Sequence, residues 1–226
     1  MNTARHSGEP FFYVMGLVML AFVVGGFSAN AMVNPQALPP VSATIVVHAA
    51  SMVLWYSIFV LQAGLVRHGK TLTHTRLGMI SIVLAASVVV SGFAIAALGF
   101  ERTGDSVIAL AGFVNITNFA VLYFLALNHR RTPAIHKRLL VFGGIMMMPP
   151  ALTRVARAAG LDDFAGLPLW IGLVVAVLVY DRVTNRSITW ATCLGGAMFV
   201  CTLVIVLSFG DSSAWVNFLT ALLRDS

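Results

Sequence analysis

The sequence predicts an all-α fold: a polytopic membrane helix bundle of about seven transmembrane helices. Three observations carry that expectation. First, residues 11–27, 45–66, 77–100 and 188–209 form four apolar runs nearly free of charge, each in the range of about 17–25 residues that a helix needs to cross ~30 Å of hydrocarbon. Second, hydrophobic residues make up 59% of the chain and charged residues 10%, whereas a soluble domain carries about 25% charged residues; the mean hydropathy is +0.91. Third, the basic residues collect in alternate connections. Backbone groups in hydrocarbon must be satisfied within a helix or a closed barrel. Barrel strands alternate in polarity over ~10 residues, and these runs do not.

The elements follow in order. The first run, residues 11–27, ends near Ala29-Asn30-Ala31, which also reads as the cleavage site of a secretory signal. The run is longer than the ~7–15 residues of a signal core, so a retained helix is the expectation; cleavage would leave six spans. An uncharged proline-rich connection, residues 34–40, leads into the second span, residues 45–66. The third span starts near Thr73 and runs to about Gly99, and the fourth runs from Ser106 to about Asn128. Weaker apolar runs cover residues 107–127, 139–152 and 167–180. The fifth span contains Pro149-Pro150, which must kink it or interrupt its hydrogen bonds. The sixth ends at Tyr180-Asp181-Arg182 and the seventh near Gly210. In the tail, Trp215, Phe218, Leu219, Leu222 and Leu223 recur on one helical face, predicting a short amphipathic helix in the outer interface, with a bare continuation of the seventh span as the alternative. All of residues 1–226 read as one integral membrane domain.

Charge sets the orientation. With the amino terminus inside, the inner segments hold ten cations: Arg5, Arg67, Lys70, Arg76, Arg130, Arg131, Lys137, Arg138, Arg182 and Arg186. The outer side holds four: Arg102, Arg154, Arg157 and Arg224. The positive-inside rule then places the amino terminus in the cytoplasm and, after seven spans, the carboxyl terminus outside. A bacterial inner membrane is the expected location. The net charge of +6 belongs to this bias toward anionic lipid head groups and does not indicate nucleic acid. Cys193 and Cys201 are eight residues apart, ~12 Å of helix rise, too far for a disulfide.

The loop before the third span resembles the loop before the fifth. Leu65-Val-Arg-His-Gly-Lys-Thr followed by His74-Thr-Arg-Leu parallels Leu127-Asn-His-Arg-Arg-Thr followed by His136-Lys-Arg-Leu. Two readings stay open: repeated hairpins over residues 45–100 and 107–160, as in several membrane folds, or two inner loops alike because both need basic anchors.

Five of six histidines (His6, His68, His74, His129 and His136) fall on the inner side. His74 and His136 open two outward spans at equal depth, which is what bis-histidine haem ligation requires; Arg76 and Arg138 beside them suit haem propionates. An anionic lipid head group, an imidazole-bound transition metal or simple anchoring of helix ends are the other readings. His48, Trp55 and Gln62 recur every seven residues and share one face of the second span. Ionisable groups inside a membrane usually face the bundle interior. His48, Arg154 and Asn115 are therefore expected to line an outer polar cavity fit for an anion, a quinone head group or propionates, unless His48 bonds a neighbouring helix and the arginines snorkel outward. Met146-Met147-Met148 points in three directions on a helix and reads as packing. No span holds a lysine, which argues against a retinal Schiff base, and Asp181 is placed at a helix end, leaving the spans without carboxylates. No H-E-x-x-H, G-x-S-x-G or Walker sequence is present.

The pattern His48…Trp55…Gln62…His74-x-Arg76-Leu-Gly78…His136-Lys-Arg138-Leu…Arg154 resembles a broad group of bacterial multi-span membrane proteins without an assigned activity, over about residues 45–157. That resemblance implies that these positions form one site and names no reaction. A weaker likeness is to small membrane b-type cytochromes; it implies an inner haem between His74 and His136, whereas Leu110 stands where an outer ligand would repeat His48. The resulting expectation is a redox or electron-transfer module holding haem b or a quinone, with His74 and His136 as axial ligands and His48, Gln62 and Arg154 lining polar pockets. The contrasting classes are a non-catalytic subunit or assembly protein that binds lipid or another membrane protein, and a small-solute carrier.

Overall fold

A computed structural model describes residues 10–224; Arg5, His6 and Asp225 lie outside the described residues. Among the described residues nine α-helices follow one another: α1 (Phe11–Val33), α2 (Ala43–Arg67), α3 (Thr71–Thr103), α4 (Ser106–Asn128), α5 (Pro133–Met146), α6 (Pro149–Ala158), α7 (Leu167–Asn185), α8 (Trp190–Phe209) and α9 (Ser213–Arg224). No strand occurs among the described residues. Local chemistry sets several boundaries. The side chains of Ser42, Asp105 and Thr189 accept from the backbone N–H groups of Ile45, Ile108 and Thr192, capping α2, α4 and α8. Gly104, at φ 68°, ends α3 in the left-handed conformation. With 33 residues, α3 is ~50 Å long. It outruns the hydrocarbon and exceeds the expected span.

Six helices are long and apolar enough to cross a membrane, and α5 with α6 makes a further pair bent by 47°. Contacts along α1 decide what that pair is. Phe12, near the start of α1, lies under the Arg138 guanidinium of α5 and edge-on to Tyr180 near the end of α7. Midway, Met19 packs on Gly144 of α5. Further along, Gly26 lies against Ala151 and Val155 of α6. The pair therefore runs beside α1, in the same direction, along most of its 23 residues. α7 runs the other way: Asp181 near its end bonds Arg138, and Gly166 before its start lies against the backbone of Leu152 and Thr153. A re-entrant loop would bring α6 back to the face where α5 begins. These contacts make α5–α6 one broken span and the crossings seven.

The break is satisfied in part by rearranged bonds at Gly144 and Ile145. Pro149 and Pro150 have no N–H to offer the carbonyls of Ile145 and Met146, and such groups cannot turn to water inside a bilayer. The chain tightens instead, with Met147 N–H donating to Gly144 O and Met148 N–H to Ile145 O, each at 3.1 Å. Two neighbours add donors: Trp170 Nε1–H of α7 reaches Ile145 O at 2.7 Å, and the Tyr56 hydroxyl of α2 reaches Gly144 O at 2.8 Å. Met146, Met147 and Met148 are buried around this point, as packing residues.

The bundle turns apolar side chains outward as well as inward. Val83, Val90 and Leu207 are more than 70% exposed. Bands of exposed aliphatic residues suit lipid and would be a liability in water. Small residues permit the closest approaches: a Cβ on Gly195 of α8 would stand 2.2 Å from the Phe142 ring of α5. The amphipathic α9 is present, but its tryptophan is spent on the protein. Trp215 Nε1–H donates to Ser106 O at the start of α4, and Leu219 is buried beneath it.

Candidate functional site

The polar stripe of α2 faces α3 and α4, and its inner end forms a contiguous cluster. Gln62 Nε2 donates to the His74 carbonyl at 3.1 Å and sits beside Gly78. One turn further on α3, Ser81 donates to Gly78 O at 2.7 Å. Its only hydrogen is thereby used, so the Tyr123 hydroxyl of α4 must donate to Ser81 Oγ, 3.0 Å away. The Trp55 ring meets Tyr123 edge-on at 5.3 Å and Phe119 at 4.9 Å.

His74 and His136 occupy the fourth position of α3 and α5 respectively. His136 Nδ1 lies 2.7 Å from the Ala126 carbonyl of α4. A carbonyl only accepts, so Nδ1 carries the hydrogen and Nε2 is left as the basic nitrogen. That backing bond is the one that orients ligating histidines in metal sites. His74 Nδ1 has no partner, and neither does Gln62 Oε1 nor Trp55 Nε1, although all three atoms are buried. Buried polar atoms are satisfied in the great majority of cases, and an exception calls for an explanation.

The arginines do not join this cluster as expected. Arg138, read as a propionate partner, is 2% exposed and pairs with Asp181, itself 0% exposed. Its Nε donates to Asp181 Oδ1 at 2.6 Å, and the Thr189 and Thr192 hydroxyls and Thr189 N–H donate to Oδ2. Burial demands this: an unpaired charge at that depth would be far more costly than a paired one. Asp181 is therefore internal to the protein. The Tyr-Asp-Arg sequence reads as a helix end, whereas α7 continues to Asn185 and α8 folds its start over the carboxylate. Arg76 is exposed and makes no ion pair among the described residues.

At the outer end, His48 and Arg154 turn to different helices. Ser91 donates to Ser87 O at 2.6 Å, so His48 Nδ1 donates to Ser91 Oγ at 3.1 Å. This is the interhelical bond weighed against the cavity reading. Ser51 and Ser87 add a second α2–α3 bond at 2.8 Å. Arg154 turns to α1: its guanidinium lies 4.2 Å over the Phe27 ring, with Nη1 donating to Pro150 O. Asn118 bonds Thr202 of α8. Asn115 is buried with Oδ1 unpartnered, and no contact ties it to Arg154.

His68 and His129 end α2 and α4 in the same way. Each ring donates from Nδ1 to the carbonyl four residues back, Gly64 and Leu125, at 2.8 and 2.9 Å. Among the described residues no group of three or more His, Cys, Asp or Glu side chains is arranged to hold a metal ion. Fold and composition define a polytopic, all-α integral membrane protein. No family model matches the chain, and no curated protein or solved structure matches it.

Proposed function

We propose that the protein is a redox module of the bacterial inner membrane whose inner cluster binds a quinone head group. One observation carries the reading: Trp55 Nε1, Gln62 Oε1 and His74 Nδ1 are buried without partners in one connected cluster. A quinone, which carries two electrons and two protons, presents carbonyl oxygens when oxidised and hydroxyls when reduced. Gln62 Oε1 accepts a hydroxyl and the His74 imidazole exchanges a proton at Nδ1. Trp55 lies ~10 Å along α2 toward the membrane centre, where its N–H meets a carbonyl or ring substituent. Gln62 is anchored through its amide nitrogen, so its oxygen is held toward the cluster. The exposed aliphatic faces of α2 and α3 suit an isoprenoid tail.

Haem b is the second reading, favoured by the His136 backing bond and by the matching places of His74 and His136 on α3 and α5. One of the two arginines expected beside the propionates is taken, because Arg138 is committed to Asp181. The contrasting class, a lipid- or partner-binding subunit without catalysis, is supported by the basic inner loops; a solute carrier has less support, since Arg154 and His48 face different helices. Organic extraction and absorption spectroscopy of detergent-purified protein separate these readings. Co-purifying quinone, lost in Gln62→Leu and His74→Phe, supports the proposal. A Soret band that shifts on reduction assigns haem instead. Protein with neither, which also fails to bind an added short-chain quinone, overturns both.

A further inference from the structure

The opposite face of α2 carries a different feature. α1 and α2 touch at Gly16, where a Cβ would come within 2.8 Å of Phe59. Beside that contact they part to leave a groove of about 430 Å³, lined by Tyr13, Leu20, Val60, Gly64, Leu65 and, at its inner mouth, Lys70. The walls are almost wholly apolar and the mouth is cationic. Arg67 lies 5.8 Å over the Tyr13 ring, Lys70 follows the left-handed turn at Gly69, and both are exposed. Neither makes an ion pair among the described residues. The inner acid that is described, Asp181, is already consumed by Arg138.

We infer that this groove is a binding site for an anionic phospholipid of the inner leaflet. One acyl chain lies between Tyr13, Val60 and Gly64, and the phosphate sits at Arg67 and Lys70. The apolar channel takes the chain, and the two cations supply the charge that complements the head group. An acyl chain suits the groove because its walls follow α1 and α2 and are almost wholly apolar. The site is independent of the quinone reading, which concerns the face of α2 turned to α3 and α4.

The test is native mass spectrometry of the protein released from nanodiscs of equal phosphatidylglycerol and phosphatidylcholine. The protein should retain phosphatidylglycerol on the order of tenfold over phosphatidylcholine, as two cations beside an anionic head group imply. Arg67→Gln with Lys70→Gln, both exposed and safe for folding, should abolish the preference. Gly64→Leu should lower retention of both lipids by filling the groove, where a Cβ meets nothing nearer than Tyr13 at 3.5 Å. Equal retention of the two lipids by the unaltered protein, or retention unchanged in Gly64→Leu, would overturn the assignment.

Discussion

Arg138 and Asp181 show how little room a protein interior leaves for an unpaired charge. Every oxygen of the carboxylate is used, by Arg138 and Asn185 on one side and by Thr189 and Thr192 on the other. Removing one partner strands the other, at a cost of about 3–5 kcal/mol for a buried pair. Asp181→Ala should therefore lower the unfolding temperature in detergent sharply, while Arg138→Met with Asp181→Leu should recover most of the loss. A double variant no better than the single one would mean that the pair is not where the damage arises. The unpartnered atoms of the inner cluster behave differently. Gln62→Leu removes a bond to a carbonyl, worth about 1 kcal/mol, yet also removes a buried oxygen with no partner. Its thermal stability without ligand should stay close to that of the parent, in contrast to Asp181→Ala, as a melting curve will register.

Among the elements, the broken α5–α6 span depends most on its neighbours. Trp170 supplies an N–H where Pro149 has none, while Met148 N–H already serves the same carbonyl. Trp170→Phe should then cost about 1–2 kcal/mol, the penalty for a weakened buried hydrogen bond, measured as a downward shift in the urea or thermal midpoint. A Trp170→Phe protein as stable as the parent would show that the tightened turn suffices alone. Close packing offers a paired test on α8. Gly195→Ala must push back the Phe142 ring, whereas a Cβ on Gly196 meets nothing within 4 Å. Overpacking costs about 1–3 kcal/mol, so Gly195→Ala should unfold at a clearly lower temperature, and Gly196→Ala should unfold near the parent value.

For the whole molecule the decisive property is the sidedness of its connections. Seven crossings place the loops after α2 and α4 on the face where α1 starts, and the connection between α6 and α7 on the opposite face. Single cysteines at Gly69, Thr132 and Gly160, in a background with Cys193 and Cys201 replaced by Ser, can be probed with an impermeant maleimide on intact cells. Position 160 should label, and positions 69 and 132 only after lysis. Labelling of 69 and 132 on different faces would dismantle the His74–His136 cluster and every proposal built on it.

Membrane class, helical content and the inner bias of basic residues were legible in the chain because they depend on local properties: run length, lack of alternation and charge count. The fifth span's weakness at Pro149-Pro150 was legible for the same reason, since a proline lacks its N–H wherever it sits. The pairing of polar groups was not. His48 and Arg154 are both polar near the outer side, and only packing shows that one turns to Ser91 of α3 and the other to Phe27 of α1. Asp181 looked like the end of a helix until α8 closed over it. Hydrophobic length is additive along a chain, so one dimension contains it; the partner of a buried charge is a question of which helices meet, and that is decided only when they pack.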